Sequence, residues 1–477
     1  MEDRAFDVCV VGAGVIGSAA AHDLAGRGAR VLLLEQFGFG HDHGSSHGES
    51  RIIRRTYIEP WLAELMPEAY AGWSALQRAC EADGGVLAPG EQLMRNTGGV
   101  DFGVAGSAEI ESVISASRVC GVPLQQMSHA EVAAQHAPLL PPSHGMQDDR
   151  DRRLCGPYTC LFSPESGVLR ASLCTRALQA VAARRGATLL DHAKVTGYEP
   201  LLPSGGGAAG YTVHTRERGS FRCRQLVLAL GGWATGALLP RPLPLVPIEV
   251  TVAHWRMRPG LDVSRCPIFI HYGEPYSVYG LPSTRFPGTV KVCWHGGRRT
   301  EATRRGTTAT TTGVPAAVAA GDDGGGAAVP SELVGVVAPF LSRFVQSPRP
   351  GGGGQRVSAA EWLQQLDHVE RCVYTMTPDE GFIIDRVPAT SSGGDDDVIV
   401  AAGFSGHGFK LAPVIGRLLA DMALAAIGGH GVDSAVLDKT LEPFRLSRPA
   451  LATFLDGSSE ANSFSGQWEE RGNKAKL

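Results

Sequence analysis

The glycine-rich stretch near the N-terminus has the residue types and the spacing of a dinucleotide-binding loop. Gly12, Gly14 and Gly17 form the sequence GAGVIG, and Glu35 follows 18 residues after the last of them. In such loops the first glycine permits a tight turn, the second lets backbone amides approach a pyrophosphate, and the third lets a helix pack closely on a strand. A carboxylate about 20 residues further on binds the ribose hydroxyls. The pattern therefore predicts a site for NAD or FAD.

The segments around these glycines predict the β-α-β unit that such a loop requires. Phe6–Val11 is a short apolar run, the next stretch has helical spacing with Gly28 as its stop, and residues 29–34 form a second apolar run before Glu35. The N-terminus of the helix would offer backbone N–H groups and the positive end of its dipole to phosphates. Because all four parts are in register, the motif is more specific than a lone GxGxxG.

A pair of arginines follows this unit. Arg51 and Arg54 are three residues apart and are separated by Ile52 and Ile53. If a helix begins here, both guanidinium groups lie on one face, where one would contact the cofactor and the other a substrate carboxylate. The alternative is an exposed, basic helix start without a function.

The overall composition is that of a globular enzyme acting on a small molecule. The chain has 477 residues, of which 43% are apolar and 19% charged, so we expect two lobes and a large core. A formal net charge of −4 without a long basic run gives no sign of a nucleic acid or membrane-surface partner. Ten cysteines without a CxxC pair indicate free thiols rather than a disulfide framework or a metal site. The first residues predict no secretory signal, and the most apolar stretch, 411–427, is interrupted by Arg417 and Asp421, which predicts no membrane span.

Later segments predict that the chain returns to the nucleotide-binding sheet. Residues 172–185 have helical spacing, and residues 224–230 form an apolar strand followed by small residues. The strand-like runs 247–257 and Thr289–Trp294 mix polar and apolar residues, unlike the apolar strands before them. They indicate a second domain inserted into the first. We therefore predict an α/β fold in which a Rossmann-like dinucleotide-binding domain carries a discontinuous substrate domain built on a mixed sheet.

The chain is predicted to alternate between the two domains. The predicted ranges are 1–88, 161–240 and 367–450 for the dinucleotide-binding domain, 89–160 and 241–366 for the substrate domain, and 451–477 for a flexible tail. Three low-complexity segments have the composition of exposed, disordered loops, namely 204–210, 303–330 and 350–354.

Three blocks of the sequence together resemble a known family. Residues 44–57 (GSSHGESRIIRRTY), 370–385 (ERCVYTMTPDEGFIID) and 401–416 (AAGFSGHGFKLAPVIG) are similar to the signature blocks of the monomeric sarcosine oxidase family of FAD-containing amine oxidases. The likeness is greatest to the peroxisomal sarcosine/L-pipecolate oxidase branch. It extends from Asp7 to Leu451 except for the low-complexity insertions, and it favours FAD over NAD.

The resemblance implies a set of residues around the flavin. Cys372 would be joined through its sulfur to the 8α-methyl group, whereas its own surroundings in sequence suggest only a small buried side chain. Arg51 and His47 would lie near the flavin ring. The further positions implied for the cofactor are Ser45, Ile52, Val195, Gly406, His407 and Lys410, in addition to Gly12, Gly14, Gly17 and Glu35.

The resemblance also implies a substrate pocket. Arg54 and Lys410 would bind the substrate carboxylate, and Lys291 would activate oxygen. The pocket would be completed by Tyr279, His295 and Tyr374. Taken by themselves, a lysine on an alternating strand is usually at the surface and a single histidine or tyrosine usually belongs to the core. The implied reaction moves a hydride equivalent from the carbon beside the amine nitrogen to flavin N5 and leaves an imine, which water hydrolyses, and hydrogen peroxide.

Two features of the sequence qualify or extend this reading. Bacterial members of the family have two adjacent histidines where this chain has Ser46 and His47, so one ring near the flavin is missing. The chain ends in Ala475-Lys476-Leu477, which resembles the S-K-L address read by the peroxisomal import receptor. We therefore expect a monomeric peroxisomal oxidase that uses O2 and a secondary amino acid. The alternatives are a dehydrogenase of the same fold that reduces a carrier, and a flavin-binding protein without turnover.

Overall fold

The structure of the chain is a computed structural model. It describes residues 5–128, 131–132, 135, 157–201, 210–236, 238–239, 242–257, 259–273, 277–297, 329–345, 357–389, 397–429 and 432–451. The helices are α1 (Val15–Gly26), α2 (Pro60–Asp83), α3 (Ala108–Val119), α4 (Ala171–Arg184), α5 (Ala338–Phe344), α6 (Ala359–Leu363), α7 (Ala412–Ala426) and α8 (Ser434–Leu441).

The strands of the described residues fall into three sheets. They are β1 (Phe6–Val11), β2 (Val31–Leu34), β3 (Ser50–Ile53), β4 (Met94–Asn96), β5 (Gly99–Val104), β6 (Gln125–Met127), β7 (Tyr158–Ser163), β8 (Gly167–Arg170), β9 (Thr188–Leu190), β10 (Val195–Leu201), β11 (Gly210–Thr215), β12 (Ser220–Leu228), β13 (Val246–Arg256), β14 (Ile268–Tyr272), β15 (Val278–Pro282), β16 (Thr289–Trp294), β17 (Leu366–Met376), β18 (Ile383–Pro388) and β19 (Asp397–Ala402). Short 3-10 turns lie at Gly231–Thr235, Val263–Arg265, Phe409–Leu411 and Glu442–Phe444, and a π-helical turn at Leu333–Val337.

The first sheet contains the glycine-rich loop. Its order is β10-β11-β12-β1-β2-β9, and β19 joins β12 on a branch that ends in β18. The central pairs β12–β1, β1–β2 and β2–β9 are parallel. Both β1 and β2 are nearly continuous apolar runs, as expected for parallel strands covered on both faces. Helix α1 packs between α4 and α7 in the core that covers one face.

The second sheet is mixed and has its own core. Its order is β17-β13-β16-β15-β14-β5-β7-β6, with β5 and β14 parallel and the other neighbours antiparallel. Buried aromatic residues from the sheet and from α5 and α6 form this core, among them Trp255, Phe269, Phe340, Phe344 and Trp362. The third sheet is small, with the order β3-β8-β4. The predicted α/β fold with a mixed sheet is confirmed.

The helix considered at Arg51–Arg54 was wrong, because this segment contains strand β3. Ile52 and Ile53 are β-branched and suit a strand. Arg51 pairs with Leu169 of β8, and Ile53 pairs with Gly167. The partner strand is far along the chain, so local spacing could not reveal it. As a result the guanidinium groups of Arg51 and Arg54 occupy two different environments.

The two large sheets take up the chain alternately. Strands of the first sheet lie within 6–34, 188–228 and 383–402, and those of the second lie within 99–163 and 246–376. The domain limits themselves stay a prediction. The segments 204–209, 303–328, 350–354 and 452–477, with the C-terminal tripeptide, lie outside the described residues. Within the part of the chain that is described, no helix is long and apolar enough to cross a membrane.

Candidate active site

Two glycines allow the strand-to-helix turn of the first sheet. Gly12 has a φ of +99°, and a Cβ there would lie 2.4 Å from the carbonyl oxygen of Ala229. A Cβ on Gly17 would lie only 1.9 Å from the carbonyl oxygen of Gly12. Larger side chains at either position would separate β1 from α1 or from the segment after β12. The loop therefore keeps its backbone close to whatever occupies the adjoining space.

Glu35 closes this loop from the end of β2. Its Oε2 accepts a hydrogen bond from the N–H of Ala13 (2.9 Å), and its Oε1 accepts one from the N–H of Phe37 (3.1 Å). His41 Nε2 lies 3.3 Å from the same Oε1. Burial alone would raise the pKa of Glu35, but the hydrogen bonds from His41 and the two backbone N–H groups lower it below its usual value. Glu35 is therefore a carboxylate at neutral pH.

A cavity of about 830 Å³ runs from this loop to β17 and the turn after β19. Its volume lies in the upper part of the range for small-molecule and cofactor sites. The predicted site residues that line it are Gly12, Gly14, Glu35, Ser45, His47, Arg51, Val195, Tyr374 and Gly406. Sequence reasoning missed three basic residues that also line the cavity, Arg176, Lys194 and Arg216, which no local motif marks.

Several predicted cofactor residues lie beside this cavity without lining it. Gly17 acts in the packing of α1, and Ile52 packs with Val168 and Leu281. His407 Nε2 lies 3.0 Å from the carbonyl oxygen of Glu380, and burial lowers the pKa of this imidazole to about 3.

Cys372 is buried on β17 next to Arg51. The Nη2 of Arg51 lies 3.8 Å from the Cys372 sulfur and donates hydrogen bonds to the carbonyl oxygens of Ser45 and His47 (both 2.8 Å). The flanking residue Val373 lines the cavity, and its carbonyl oxygen accepts a hydrogen bond from Ser45 Oγ. The structure thus places this thiol beside a cation at the edge of the cavity.

The turn after β19 is pressed against Tyr374. A Cβ on Gly406 would lie 2.5 Å from the Tyr374 ring, and Gly406 itself has a φ of +81°. The preceding residue, Ser405, is fully buried and has a φ of +45°, which is rare for a residue other than glycine. Backbone in such regions costs about 1–3 kcal/mol and is concentrated at functional sites. This turn leads directly to Lys410.

Arg54 lies in a buried polar cluster that sequence reasoning missed. Its Nη1 donates to Asp101 Oδ1 (3.0 Å) and to the Tyr272 hydroxyl (2.6 Å). The Thr56 hydroxyl donates to Asp101 Oδ2 (2.6 Å). Burial would lower the pKa of Arg54, but Tyr272 and Asp101 raise it above its usual range, so the guanidinium stays charged. A single acid in the apolar sequence of β5 was the signal that could have revealed Asp101.

The Nε edge of the Arg54 guanidinium takes no part in the hydrogen bonds of this cluster. Nε is buried and has no hydrogen-bond partner among the described residues. A buried donor without a partner costs free energy unless a ligand or water satisfies it. The guanidinium therefore keeps donor capacity for a planar anion such as a carboxylate.

Lys410 provides a second buried cation in the same region. Its ammonium group lies 5.2 Å from the centre of the Tyr57 ring, and the Arg54 guanidinium carbon lies 4.8 Å from that ring. Burial lowers the pKa of Lys410 well below its usual value, Arg54 lowers it further, and Asp101 opposes the change. The Trp73 indole N–H donates to the Lys410 carbonyl oxygen (2.8 Å) and fixes the backbone. Arg54 and Lys410 thus bring two buried positive charges close together, which suits the binding of an anion.

Aromatic and imidazole groups lie next to these cations. The His295 ring is 5.6 Å from that of Tyr374, and the Tyr374 and Tyr279 hydroxyls are 3.2 Å apart. Burial, with the charges of Lys410 and Arg54, lowers the pKa of His295 to about 4. Burial raises the pKa of both tyrosines. At neutral pH the pocket therefore holds a neutral imidazole and two protonated phenols.

Lys291 lies deeper in the second sheet. Its Nζ donates a hydrogen bond to the Ser50 carbonyl oxygen (3.1 Å) and is almost completely buried. Burial lowers the pKa of Lys291, and the charge of Arg51 acts in the same direction. Lys291 and Arg51 thus bring positive charge to the region between the second sheet and β3.

The donors around the cavity fit FAD. The loop and the start of α1 bring N–H groups close without side-chain bulk, and Glu35 offers an acceptor. His47 lines the cavity, yet its Nε2 is buried without a partner among the described residues, and burial lowers its pKa to about 4. Such an orphaned nitrogen suits a site that a bound molecule completes.

Comparison with known proteins agrees with this assignment. A family model described as FAD dependent oxidoreductase matches residues 7–422. The chain is 33% identical to a probable sarcosine oxidase of Arabidopsis thaliana, covering 91% of each chain. The chain belongs to the FAD-dependent oxidoreductases of sarcosine oxidase type. The predicted family is thereby confirmed, and with it the dependence on FAD.

Further relatives come from animals and bacteria. The chain is 32% identical to the peroxisomal sarcosine oxidase of Homo sapiens, covering 93% of this chain and 96% of that one. It is also 32% identical to the monomeric sarcosine oxidase of Streptomyces avermitilis, covering 90% and 96%. In this family both peroxisomal and bacterial proteins thus share nearly the full length of the chain.

Solved structures share the fold. NikD, an amino acid oxidase of nikkomycin biosynthesis, superposes with a TM-score of 0.64 at 22% identity over 91% of this chain and 97% of that one. Glycine oxidase from Geobacillus kaustophilus gives a TM-score of 0.62 at 19% identity over 93% and 98%. At these identities the likeness extends to the architecture alone.

Proposed function

We propose that the chain oxidises a secondary amino acid, sarcosine, L-pipecolate or a related compound, and passes the electrons to O2. The products are an imine, which water hydrolyses or which stays cyclic, and hydrogen peroxide. The observation that supports the proposal most is the pair of buried cations, Arg54 and Lys410, which lie 4.8 and 5.2 Å from the centre of the Tyr57 ring. They lie next to the neutral pocket formed by His295, Tyr279 and Tyr374.

In this proposal the two cations bind the substrate carboxylate. Asp101 neutralises much of the charge of Arg54, so the cluster with Lys410 has about one net positive charge, which matches one carboxylate. Arg54 offers a planar donor edge and Lys410 a point charge. Holding the carboxylate fixes the position of the carbon beside the amine. When geometry limits the reaction, this positioning accelerates it more than a stronger acid or base would.

The remaining pocket residues receive the amine. A neutral His295 adds no charge that would repel a protonated substrate amine or a developing iminium ion. Its lone pair and the tyrosine hydroxyls are acceptors for an N–H group. His295 is buried and the two tyrosines are partly buried, which limits the access of water to the reacting carbon.

Cys372 and Arg51 serve the cofactor in this proposal. FAD supplies the redox chemistry by taking two electrons and one proton from the substrate as a hydride equivalent and giving them to the acceptor. Cys372 would hold it covalently, and Arg51, 3.8 Å from the Cys372 sulfur, would lie beside the bond. Lys291 keeps positive charge in a dry region, where an ammonium group stabilises reduced, anionic oxygen. A dehydrogenase that reduces a carrier would have no need of that charge.

The cellular setting follows from the same proposal. We infer a monomer that is imported into the peroxisome through Ala475-Lys476-Leu477, where catalase chemistry can remove the peroxide. The peroxisomal relatives from Homo sapiens and Mus musculus support this inference.

A substrate panel tests the proposed function. Purified yellow protein is mixed in air with sarcosine, L-pipecolate, L-proline and N-methyl amino acids, and peroxide is measured with a peroxidase-coupled dye. We expect peroxide from at least one secondary amino acid and none from the same compound with its carboxylate amidated. Reduction of an added dye acceptor without peroxide would instead support the dehydrogenase, and no reduction of any acceptor would support a protein without turnover.

Acid precipitation tests the covalent bond. We expect the yellow colour of the wild-type protein to stay with the pellet, and that of Cys372→Ser to pass into the supernatant, because the serine hydroxyl forms no thioether. Cys160→Ser, which changes a buried cysteine in the second sheet away from the cavity, is the matched control and should keep its colour in the pellet. Free flavin from the wild-type protein would contradict the role of Cys372.

A further inference from the structure

His254 is a buried group that the proposed reaction does not use. It lies on β13 with 0% exposure, and both of its ring nitrogens lack a hydrogen-bond partner within the described part of the chain. A buried imidazole left in this state costs about 1–3 kcal/mol. Buried polar groups of this kind usually bind an ordered water or have a catalytic role.

Glu49 faces this imidazole. Its Oε2 accepts hydrogen bonds from the Ser283 hydroxyl (3.0 Å) and from the N–H groups of Thr284 (2.9 Å) and Arg285 (2.5 Å). Its Oε1 lies 3.6 Å from Nδ1 of His254. The loop thus holds one oxygen of the carboxylate and turns the other toward the ring. A carboxylate on this side favours the tautomer with its proton on Nδ1 and leaves the lone pair of Nε2 free.

His254 is the middle member of a row across three strands. In the ladder it is opposite Lys291 of β16 on one side and opposite His368 of β17 on the other. Directly opposed side chains lie on the same face of a sheet, with Cβ atoms about 5 Å apart. Strand β17 is at the edge of the sheet, and the His368 side chain is 19% exposed. The row therefore leads from the solvent-facing edge of the sheet to Lys291.

Other charged groups approach this row from the neighbouring strands and loops. Glu370 Oε1 lies 3.6 Å from Nε2 of His368, and Glu370 also acts electrostatically on Lys291. Arg285 is on the loop that holds Glu49, and Arg51 faces Lys291 from β3. The Phe286 ring packs against both imidazoles, at 4.7 Å from His254 and 4.5 Å from His368, and shields the row from bulk water.

We propose that His368 and His254, with Glu49 behind the latter, form a proton path from the edge of the second sheet to Lys291. This inference rests on the proposed function, because a proton path to Lys291 has a use only if O2 is reduced there. The two histidines would act through Lys291 and an ordered water. They are therefore positioning and relay groups rather than groups that touch the substrate.

The proton count of the reaction requires one such delivery. The substrate gives up a hydride equivalent, which is two electrons and one proton. O2 takes these together with one further proton to become H2O2, and Lys291 can give that proton only if it is reprotonated in each turnover. Hydrolysis of the iminium ion to amine and aldehyde releases one proton, so the overall reaction is balanced.

The charge state of His254 suits a relay. Burial and the charge of Lys291 lower its pKa to about 2, so it holds no extra proton at rest. A neutral imidazole takes a proton at one nitrogen while it releases one from the other.

Rapid mixing of the reduced holoenzyme tests the path. The protein is reduced anaerobically with sarcosine and then mixed with O2 in H2O and in D2O. We expect His368→Gln and His254→Asn to slow reoxidation about a hundredfold, at the lower end of the 10²–10⁴-fold contribution of general acid catalysis, and to raise the solvent isotope effect. The rate of anaerobic reduction should not change. His214→Gln, which alters an exposed histidine on β11, is the matched control.

Two further results separate the path from its rivals. Added imidazole should restore reoxidation in His368→Gly, because that side chain is at an exposed edge, and it should not do so in His254→Asn. A high-resolution crystal structure should contain water within hydrogen-bond distance of His254 Nε2, a readout that does not depend on turnover. Unchanged reoxidation in both variants, or a dry imidazole, would overturn the path. Absence of peroxide from the wild-type protein would instead refute the proposed function.

Discussion

The glycine loop and the buried cluster of Arg54, Asp101 and Lys410 are built in opposite ways. The loop depends on the backbone. Gly12 and Gly17 let neighbouring backbone segments approach closely, and Glu35 accepts hydrogen bonds from backbone N–H groups of its own β-α-β unit. The cluster depends on charged side chains. Arg54, Asp101 and Lys410 come from three distant segments and are almost fully buried.

The two regions therefore differ in how much buried charge destabilises the fold. The loop contains no buried charge other than Glu35, which is satisfied by three donors. The cluster keeps two cations out of water, and the pKa of Lys410 is well below its usual value as a result. Buried charges that are incompletely paired destabilise a fold and persist where function needs them. Steric changes should therefore break the loop and its fold together, whereas charge changes should break the cluster and leave FAD bound.

Gly12→Val should have the largest effect and should act on both fold and cofactor. Its Cβ would meet the Ala229 carbonyl oxygen at 2.4 Å, and the residue would be held at positive φ. Strain and overpacking together cost about 2–6 kcal/mol. We expect a large fall in Tm and protein without FAD, measured by the 280-to-450 nm absorbance ratio.

The control for this variant is Gly197→Ala on β10. A Cβ there meets no atom within 4 Å, so Tm and FAD content should stay near those of the wild-type protein. If Gly12→Val keeps its FAD and its Tm, the steric account of the loop is wrong.

Asp101→Asn tests whether the acid positions Arg54 or merely weakens it. Breaking a buried ion pair costs about 3–5 kcal/mol of stability, and a displaced guanidinium would bind the carboxylate poorly. We expect a lower free energy of unfolding, a KM for sarcosine at least about tenfold higher, since charged hydrogen bonds contribute about 1.5–3 kcal/mol, and unchanged FAD content. Denaturant titration and steady-state kinetics measure the two effects.

Asp379→Asn is the matched control, because Asp379 pairs in a bidentate way with Arg448 outside the cluster. It should lose stability without a change in KM. Tighter binding of sarcosine by Asp101→Asn would mean that the acid only competes with the substrate for Arg54.

Lys410→Met should lower activity and raise stability. Loss of the ammonium group should lower kcat/KM for sarcosine about tenfold to a hundredfold, from the 1.5–3 kcal/mol of a charged hydrogen bond. Methionine fills a similar volume without a buried charge, so Tm should rise. The folded protein holds Lys410 at a lowered pKa, so its destabilisation is complete below that pKa and disappears as the pH approaches about 10.5. Thermal unfolding from pH 6 to 10 should show the Tm difference shrinking, and a constant difference would argue against a shifted pKa.

The pH dependence of anion binding sharpens the role of the same residue. Methoxyacetate keeps the carboxylate of sarcosine and has no amine to titrate. Its Kd, measured by the change in flavin absorbance, should rise as the pH rises through the lowered pKa of Lys410, well before pH 10.5. Lys410→Arg keeps its charge and should remove this rise. A Kd that is constant with pH in the wild-type protein would place the carboxylate elsewhere.

Tyr279→Phe should have the smallest effect. It removes a hydroxyl that lies 3.2 Å from the Tyr374 hydroxyl and leaves the ring in place. The loss of one neutral hydrogen bond is worth about 1 kcal/mol, so kcat/KM should fall about fivefold without a change in FAD content. A loss greater than a hundredfold would show that this hydroxyl takes part directly in the reaction.

The two regions also differ in how far the sequence predicts them. The strand, loop and helix around Gly12 follow from contacts close in sequence, and the structure has β1 at the predicted residues. The segment at Arg51 was wrongly considered a helix because its strand partner, β8, comes much later in the chain. Local spacing contains no information about such pairing.

The charged cluster was predicted only in part for the same reason. Arg54 and Lys410 were found through resemblance to a family, but Asp101 and Tyr272, which hold Arg54, were not. Nor did the sequence indicate that His254 is opposite Lys291. Buried polar contacts between distant strands depend on the register of the sheets, which no single segment determines.

Anaerobic addition of sarcosine to the yellow protein tests the central claim most directly. The claim is that the loop holds FAD while Arg54 and Lys410 hold a carboxylate next to it. We predict that the flavin absorbance near 450 nm disappears, that it returns on admission of air, and that one H2O2 forms for each flavin. Flavin that stays oxidised with sarcosine, L-pipecolate and every other secondary amino acid tested would contradict the claim.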